Sequence, residues 1–195
     1  MFGTFLNLHR PAALAMALGL ALAAASASGP AGRAAAQERG PVILTVTGDV
    51  TKPNRGGYDP EVDKFFGHNA VEFGEGTGFD YLSLEKLDMV KVRADFPKGG
   101  EEHEFEGPSI AAVLEAAGAD GDTLTAMALD GYAIEVPVSY LVRNGAILAL
   151  KRDGAPMGIG GFGPTQIVFP RAERDDLAEM NDDYWIWSIF HMKVQ

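Results

Sequence analysis

The chain has 195 residues, 47% of them hydrophobic and 22% charged, which excludes a disordered or fibrous protein. It contains no cysteine, so disulfides, thiolate metal sites and a thiol nucleophile are excluded. Its formal net charge of −11 makes the phosphate backbone of nucleic acid an unfavourable partner, and no nucleic-acid binding is expected.

Residues 1–36 are predicted to be a secretory signal peptide with a short linker. An Ala/Leu-rich run from Ala12 to Ala25 follows His9 and Arg10, and small residues come after it. Cleavage after Ala27 or after Ala36 satisfies the small-residue rule. The run is shorter than the ~20 apolar residues of a membrane span, so cleavage is favoured over an uncleaved anchor.

Export implies a periplasmic protein that is more acidic than the whole chain. Removing Arg10 and Arg33 from the 16 basic residues leaves 14 against 27 acidic residues, a net charge of −13.

The first half of the mature chain predicts two strands and a helical turn. The β-branched run Val42–Val50 and the alternating run Met89–Asp95 are typical of strands, the second with one polar face. Residues 51–79, rich in Gly, Pro and mixed charges, are interpreted as a long loop lying against the domain and too poor in apolar residues to form a second one. Ser83 caps a short helical turn that ends at Leu87.

One clear helix is predicted between Gly107-Pro108 and Gly118. Proline suits the first helical position, and glycine suits the position that follows the last turn. Four apolar residues share one face of this helix at i, i+3, i+4 and i+7 spacing: Ile110, Val113, Leu114 and Ala117.

The second half of the chain predicts mostly strands joined by tight turns. Asp130-Gly131 and Asp153-Gly154 are strong hairpin signals. The predicted elements are strands Thr123–Leu129, Tyr132–Val136, Ala146–Lys151, Ala155–Met157, Thr165–Phe169 and Tyr184–Val194, and a short helix Ser139–Arg143. The predicted class is α+β, mostly β in mixed sheets, with one clear helix and short helical turns, in one domain over residues 42–194.

The glycine run Gly158–Gly163 matches the spacing G-x-G-x-x-G, yet it does not predict a dinucleotide site. That site needs a helix N-terminus after the glycines to hold the pyrophosphate, whereas Pro164 and a strand-like run follow here. The glycines instead indicate a tight turn from which Phe162 projects, either as a plain connection or as one wall of a pocket.

Metal and hydrolase chemistry have little support in the sequence. None of the histidines has metal-ligand spacing, and there is no G-x-S-x-G nucleophile elbow. No metal site built only from protein ligands is expected.

The run from Asn181 to Phe190 is unusually aromatic. In an extended strand Trp185 and Trp187 share one face, where they are either core residues or a platform for a flat heterocycle. Asp182 or Asp183 then lies near the rim of that platform as a hydrogen-bond acceptor.

The order of these elements resembles the oxidoreductase molybdopterin-binding domain, the sulfite-oxidase fold, over about residues 42–194. The resemblance is carried by ordered segments rather than by one motif: Ile43–Val50, Ser83–Leu87, His103–Ser109 with its helix, Leu129–Pro137, Ile147–Gly154, Gly163–Pro170 and Trp185–Trp187. In catalytic members of that family, a cysteine on or after the strand matching about Met89–Lys98 binds molybdenum. This chain has no cysteine, and the turn Gly158–Pro164 carries no basic residue for a cofactor phosphate.

A small, exported, cysteine-free version of this fold resembles the periplasmic pterin-binding proteins that partner membrane cyclic-di-GMP enzymes. The resemblance implies a non-catalytic protein that binds a reduced pterin without molybdenum and acts on the periplasmic domain of a diguanylate cyclase/phosphodiesterase.

A pterin needs a carboxylate for its paired N–H donors, a donor for its carbonyl and an aromatic face. The residues of suitable type are Arg93, Asp130, Tyr132, Phe162, Asp182, Trp185 and Trp187. Asp130 is the first choice for the carboxylate, although an Asp-Gly turn by itself explains an aspartate there.

Two other functions stay open at this point. The first is a molybdopterin-dependent oxidoreductase with a non-cysteine metal environment. The second is a ligand-free scaffold that uses the fold as an interaction surface.

Overall fold

Short β-strands form most of the fold. A computed structural model describes residues 40–96 and 99–195, and the predicted signal peptide lies outside these residues. In chain order the strands are β1 (Val42–Gly48), β2 (Arg55–Gly56), β3 (Glu75–Asp80), β4 (Met89–Ala94), β5 (His103–Pro108), β6 (Thr123–Ala128), β7 (Ala133–Pro137), β8 (Ile147–Ala149), β9 (Lys151–Arg152), β10 (Ala155–Pro156), β11 (Gln166–Val168) and β12 (Ile189–Val194). The helices are α1 (Lys64–His68), α2 (Tyr81–Glu85), α3 (Ile110–Ala117) and α4 (Val138–Arg143). Within the described ranges, no helix is long and apolar enough to cross a bilayer.

The described strands form three sheets. A six-stranded sheet has the order β2-β3-β1-β12-β6-β7, a four-stranded sheet the order β10-β9-β5-β4, and β11 pairs with β8. The first sheet is mixed, because β1 and β12 run parallel while its other pairs are antiparallel. The predicted α+β class with mixed sheets is confirmed.

The predicted helix is present and begins two residues later than expected. Pro108 ends β5, and the Ser109 hydroxyl caps α3 by accepting a hydrogen bond from the Ala112 amide at 3.1 Å. Gly118 follows the helix in the left-handed conformation at φ 62°, as predicted. The predicted apolar face of α3 is buried in the core.

Both Asp-Gly turns join paired strands, as predicted. Gly131 adopts φ 86° between β6 and β7. In the β9–β10 turn, Asp153 and Gly154 both have positive φ, which is the geometry of a two-residue hairpin.

The sequence did not predict β5, although this strand lies inside the four-stranded sheet. Its run of charged residues lacks the β-branched character of a strand, and pairing with β4 and β9 stabilises it instead. A Cβ atom at Gly107 would lie 1.9 Å from the carbonyl oxygen of Leu148, so the close approach of β5 to β8 requires glycine.

The prediction of a long loop over residues 51–79 is wrong, because the segment contains β2, α1 and β3. Strand β3 pairs with β1 in the largest sheet. The glycines of β3 lack the β-branched character from which a strand is predicted, yet they allow β3 and β1 to approach closely. A Cβ atom at Gly76 would lie 3.0 Å from the Val46 carbonyl oxygen, and one at Gly78 would lie 3.1 Å from the Val42 side chain.

Arg55 holds this segment against the sheet. Its guanidinium donates hydrogen bonds to the Thr45 hydroxyl at 2.9 Å and to the Asp63 carboxylate at 2.7 Å. It also lies over the rings of Phe66 and Phe73, at 5.3 and 4.9 Å from their centroids. The guanidinium of Arg55 therefore links strand β1 to the segment that contains Asp63, Phe66 and Phe73.

His191 on β12 lies under the same aromatic cluster and is 4% exposed. Its Nε2 is 2.8 Å from the Thr47 hydroxyl, and the Phe73 ring stacks on the imidazole. Burial, followed by the charges of Lys193 and Arg55, lowers the pKa of His191 to about 4.

We expect the free energy of unfolding to fall as the pH is lowered from about 6.5 to about 4. In that range the unfolded chain binds a proton at His191 and the folded chain does not, so the stability present above pH 6.5 is progressively lost. The loss is up to roughly 3 kcal/mol. Urea unfolding across this pH range measures it. His191→Gln, which does not titrate, is expected to flatten the profile, and an unchanged profile in that variant would contradict the assignment.

Candidate functional site

Two neighbouring cavities share a wall formed by Phe96 and Trp185. The first, here called the aromatic cavity, has a volume of about 190 Å³ and is lined by Ala94, Asp95, Phe96, Gly100, Glu101, His103, Phe105, Arg152, Phe162, Gln166 and Trp185. The second, the acidic cavity, has a volume of about 380 Å³ and is lined by Phe96, Ala128, Asp130, Tyr132, Asp182, Asp183, Trp185, Ile186 and Trp187.

Four rings surround the aromatic cavity. Phe96 meets Trp185 edge-on at 6.1 Å between centroids, while Phe105 and Phe162 line the cavity beside the guanidinium of Arg152. An apolar cavity of ~150 Å³ can hold a benzene molecule. The aromatic cavity is therefore large enough for a small flat ring system with part of it facing the opening.

Gln166 lines this cavity and carries a buried oxygen atom without a hydrogen-bond partner. The residue is 3% exposed, and its Oε1 atom makes no hydrogen bond. A buried carbonyl oxygen without a donor costs free energy in the ligand-free protein.

Arg152 lines the same cavity. Its Nε atom is buried without a hydrogen-bond acceptor and lies 3.9 Å from the Asp153 carboxylate. Pairing of β5 with β9 sets Arg152 opposite Phe105, two residues from His103 on the same strand face. The guanidinium lies 5.9 Å from the Phe105 ring centroid and 5.4 Å from that of Phe162.

His103 and Asp153 hold Arg152 in place. The Nδ1 of His103 lies 2.7 Å from the Asp153 carboxylate, so it carries the proton and donates. Its Nε2 then accepts a hydrogen bond from Nη2 of Arg152. The hydrogen bond from His103 lowers the pKa of Asp153, which stays a carboxylate.

The acidic cavity brings together five of the residues predicted for ligand binding: Asp130, Tyr132, Asp182, Trp185 and Trp187. Phe162, also predicted, lies in the aromatic cavity, and its ring meets that of Trp187 edge-on at 6.1 Å. Asp130 is exposed and accepts a hydrogen bond from the Tyr132 amide at 3.0 Å, so it also serves the turn.

The predicted eleven-residue strand Tyr184–Val194 is wrong, and the two tryptophans do not share one face. Strand β12 begins at Ile189, because Ser188 adopts a left-handed conformation at φ 56°. Trp185 is 3% exposed and contacts Phe169, whereas Trp187 is 43% exposed. Trp185 therefore forms part of the wall between the cavities, and Trp187 lies at the rim of the acidic cavity.

Ser188 also holds the glycine turn in place. Its amide donates a hydrogen bond to the Phe162 carbonyl at 2.8 Å, and its hydroxyl donates to the Gly163 carbonyl at 2.7 Å. As predicted, a strand and not a helix follows this turn, since β11 begins at Gln166. The turn thus presents Phe162 beside Trp187.

Arg93 does not join the other predicted residues and lines neither cavity. On β4 its side chain alternates with the buried Val92 and Ala94, so it lies on the exposed face of the strand. There it donates a hydrogen bond to Glu102 at 2.6 Å, and its amide donates to Glu173 at 2.8 Å. Arg152 is the arginine that lines the aromatic cavity.

Residues 89–96, in the region where the resembled family carries its cysteine, contribute Ala94, Asp95 and Phe96 to the aromatic cavity. Asp95 is bound by the Arg171 guanidinium, whose hydrogen bond lowers the pKa of that carboxyl.

Besides Arg152 and His103, the charged residues of the two linings are carboxylates. Across the described ranges, no group of three His, Cys, Asp or Glu side chains is arranged for a metal ion. These residues do not fit a thiolate-bound molybdenum cofactor with a phosphate.

Sequence reasoning missed the polar pair of the aromatic cavity, Gln166 and Arg152. One signal was available for Gln166, the polar side chain inside the apolar run Thr165–Phe169. No such signal marks Arg152 or His103, because 49 residues separate them and only the β5–β9 pairing brings them together.

The fold has a counterpart among solved structures. Sulfane dehydrogenase SoxCD from Paracoccus pantotrophus is similar over 77% of this chain and 37% of that chain, with a TM-score of 0.54 and 15% sequence identity. The chain has a distant sulfite-oxidase-like fold. This chain spans about a third of the SoxCD chain that it matches, and the likeness concerns the fold alone. A scan against protein-family models finds no match, and a search of curated proteins finds no significant one.

Gln166→Met is expected to raise the free energy of unfolding of the ligand-free protein by about 1 kcal/mol, because it removes an unpartnered buried carbonyl at similar volume. Urea unfolding measures the change. Asn144→Met is the matched control, at a buried amide that donates to the Tyr140 carbonyl, and is expected to destabilise. A loss of stability in Gln166→Met would show that the Gln166 oxygen has a partner in the free protein.

Proposed function

We propose that the protein is an exported, non-catalytic binder of a reduced pterin that signals to a membrane partner. The observation that carries the proposal is a cavity walled by four aromatic rings that adjoins a second cavity lined by Asp130, Asp182 and Asp183. An apolar cavity beside a few polar groups is the usual arrangement of a site that binds a small ligand.

The two linings provide the groups that a pterin requires. Aromatic walls contact the faces of the bicycle, and stacking of this kind contributes about 0.5–1.5 kcal/mol beyond area burial. The carboxylates of the acidic cavity accept hydrogen bonds from amino and hydroxyl groups. The absence of cysteine from the chain leaves no thiolate for molybdenum, which supports binding rather than oxo-transfer.

Signalling is proposed from the resemblance and from the exposed rim. Trp187, Tyr132 and Phe162 are 43%, 51% and 41% exposed around the cavities, where a protein partner can contact them. The partner proposed is the periplasmic domain of a membrane diguanylate cyclase/phosphodiesterase, consistent with the predicted signal peptide. Loss of signalling without loss of pterin binding in a rim variant would test that step.

The binding step is tested by titrating the purified mature protein with tetrahydropterin and following tryptophan fluorescence. Binding is expected in the native protein and should weaken about tenfold in Trp187→Ala, since one stacking contact is lost. The stability of that variant is expected to stay close to native, because Trp187 is half exposed.

Trp185→Ala is the matched variant for the wall between the cavities. Truncation of this buried ring is expected to cost about 3–5 kcal/mol of stability. Binding of no pterin by the folded native protein would remove the proposed function.

The second candidate is a molybdopterin-dependent oxidoreductase. The observation in its favour is the fold that the chain shares with the sulfane dehydrogenase. Stoichiometric molybdenum in protein purified from its own periplasm, together with activity toward sulfite or a sulfoxide, would support it over the pterin binder. Neither metal nor pterin in that preparation would favour a ligand-free scaffold.

A further inference from the structure

We propose that residues 58–73, here called the lid, open as a unit from the six-stranded sheet when His191 is protonated. The inference goes beyond the proposed function and does not depend on it, because neither His191 nor a residue of the lid lines either of the two cavities described above. It gives a role to a buried titratable side chain that ligand binding does not use.

The lid is a compact excursion of the chain whose two ends meet. The Tyr58 amide donates a hydrogen bond to the Phe73 carbonyl at 2.8 Å. A Cβ atom at Gly57 would lie 2.6 Å from the Gly74 carbonyl oxygen, so the chain entering the lid passes close to the chain leaving it. A surface loop of this length with adjacent ends is an Ω-loop, a class that is frequently functional.

Few bonds hold the lid to the rest of the protein. Within the described ranges, no backbone hydrogen bond joins residues 58–73 to another segment, and helix α1 has no buried residue. The lid is held instead by the ion pair between Arg55 and Asp63 at 2.7 Å and by its phenylalanine rings. A segment whose backbone hydrogen bonds are internal can open while the sheet beneath it stays folded.

Two phenylalanine rings of the lid cover His191. Phe66 meets the imidazole edge-on at 5.7 Å between ring centroids, and Phe73 stacks on it at 6.4 Å. Phe66 also meets Phe190 edge-on at 5.2 Å. Because His191 is only 4% exposed under these rings, opening of the lid brings water to one face of the imidazole.

The surroundings of the imidazole disfavour a proton on it while the lid is closed. Burial, followed by the positive charges of Lys193 on the same strand and of Arg55 on β2, lowers the pKa of His191 to about 4. On β1, the uncharged Thr47 hydroxyl lies against Nε2. The carboxylate that the lid contributes nearby, Asp63, is bound by Arg55.

Protonation of His191 therefore favours the open lid. A hydrated histidine has its ordinary pKa of 6.5, whereas the closed form has a pKa of about 4, so the open form binds a proton in the range between them. By linkage, the ratio of open to closed lid is expected to rise about twentyfold from pH 7 to pH 5.

The lid also reaches the turn beside the acidic cavity. A Cβ atom at Gly131 would lie 3.0 Å from the side-chain oxygen of Asn69, so the residue after α1 contacts the β6–β7 turn. Asp130 and Tyr132, on either side of Gly131, line the acidic cavity. Opening of the lid thus removes a contact from the turn that borders this cavity.

Hydrogen exchange of the native protein at pH 7 and pH 5, corrected for the intrinsic exchange rate at each pH, tests the proposal. Amides of the lid are expected to be less protected than those of β1 and β12 at both values, and to lose protection about twentyfold at pH 5. Their exchange is expected to be nearly independent of low urea concentrations, because a local opening exposes little surface. Lid protection equal to that of β1, or unchanged between the two pH values, would overturn the proposal.

His191→Gln identifies the titrating group, because glutamine can still bond to Thr47 but does not titrate. Its lid protection is expected to be the same at pH 7 and pH 5. His68→Gln is the matched control, since it removes the exposed histidine of α1 and is expected to keep the native pH dependence. A native pH dependence in His191→Gln would assign the opening to another group and overturn the role of His191.

Phe66→Ala tests whether the rings keep the lid closed. The variant is expected to lower lid protection about tenfold or more at pH 7, because it removes the contacts with His191 and Phe190. Val62→Ala truncates an exposed apolar side chain of the lid and is expected to leave lid protection near native. Native lid protection in folded Phe66→Ala would show that the rings do not hold the lid.

Discussion

The candidate site depends on one backbone conformation, the left-handed turn at Ser188. At φ 56° the chain leaves the direction of β12, so Trp185 enters the core while Trp187 stays on the rim. Non-glycine residues in this region cost of order 1–3 kcal/mol and persist where surrounding bonds determine them. Here the amide and hydroxyl of Ser188 bind the carbonyls of the glycine turn that carries Phe162. Ser188 therefore places Trp185 and Trp187 in different environments. It also holds the turn whose Phe162 lines the aromatic cavity.

The two cavities differ in chemistry as well as in shape. The aromatic cavity is lined mainly by rings, and the acidic cavity by three carboxylates together with aromatic side chains. A ligand that spans both would place a flat ring against Phe96 and Trp185 and polar substituents toward Asp130 and Asp182.

The fold of this protein resembles that of a sulfane dehydrogenase, whereas the residues that line its cavities do not fit a thiolate-bound molybdenum cofactor. The sulfane dehydrogenase shares the fold at 15% identity, yet this chain has no cysteine, and most of the charged residues that line its two cavities are acidic. A fold holds whatever site its loops and strand ends supply, so function follows from the groups that converge. In this chain the residues that line the two cavities are mainly aromatic rings and carboxylates, with Arg152 and Gln166 beside the rings of the first cavity.

The sequence by itself determined the elements whose signals lie within a few residues of one another along the chain. Helix α3, with its Ser109 and Gly118 ends, and both Asp-Gly hairpins follow from capping, left-handed glycine and apolar spacing within a few residues. The tertiary structure alone decided β3 and β5, whose glycines and charges are tolerated because neighbouring strands pair with them. It also decided the polar pair of the aromatic cavity and the exclusion of Arg93 from it. These depend on strand register between distant segments, and a register of one residue selects the face on which each side chain lies.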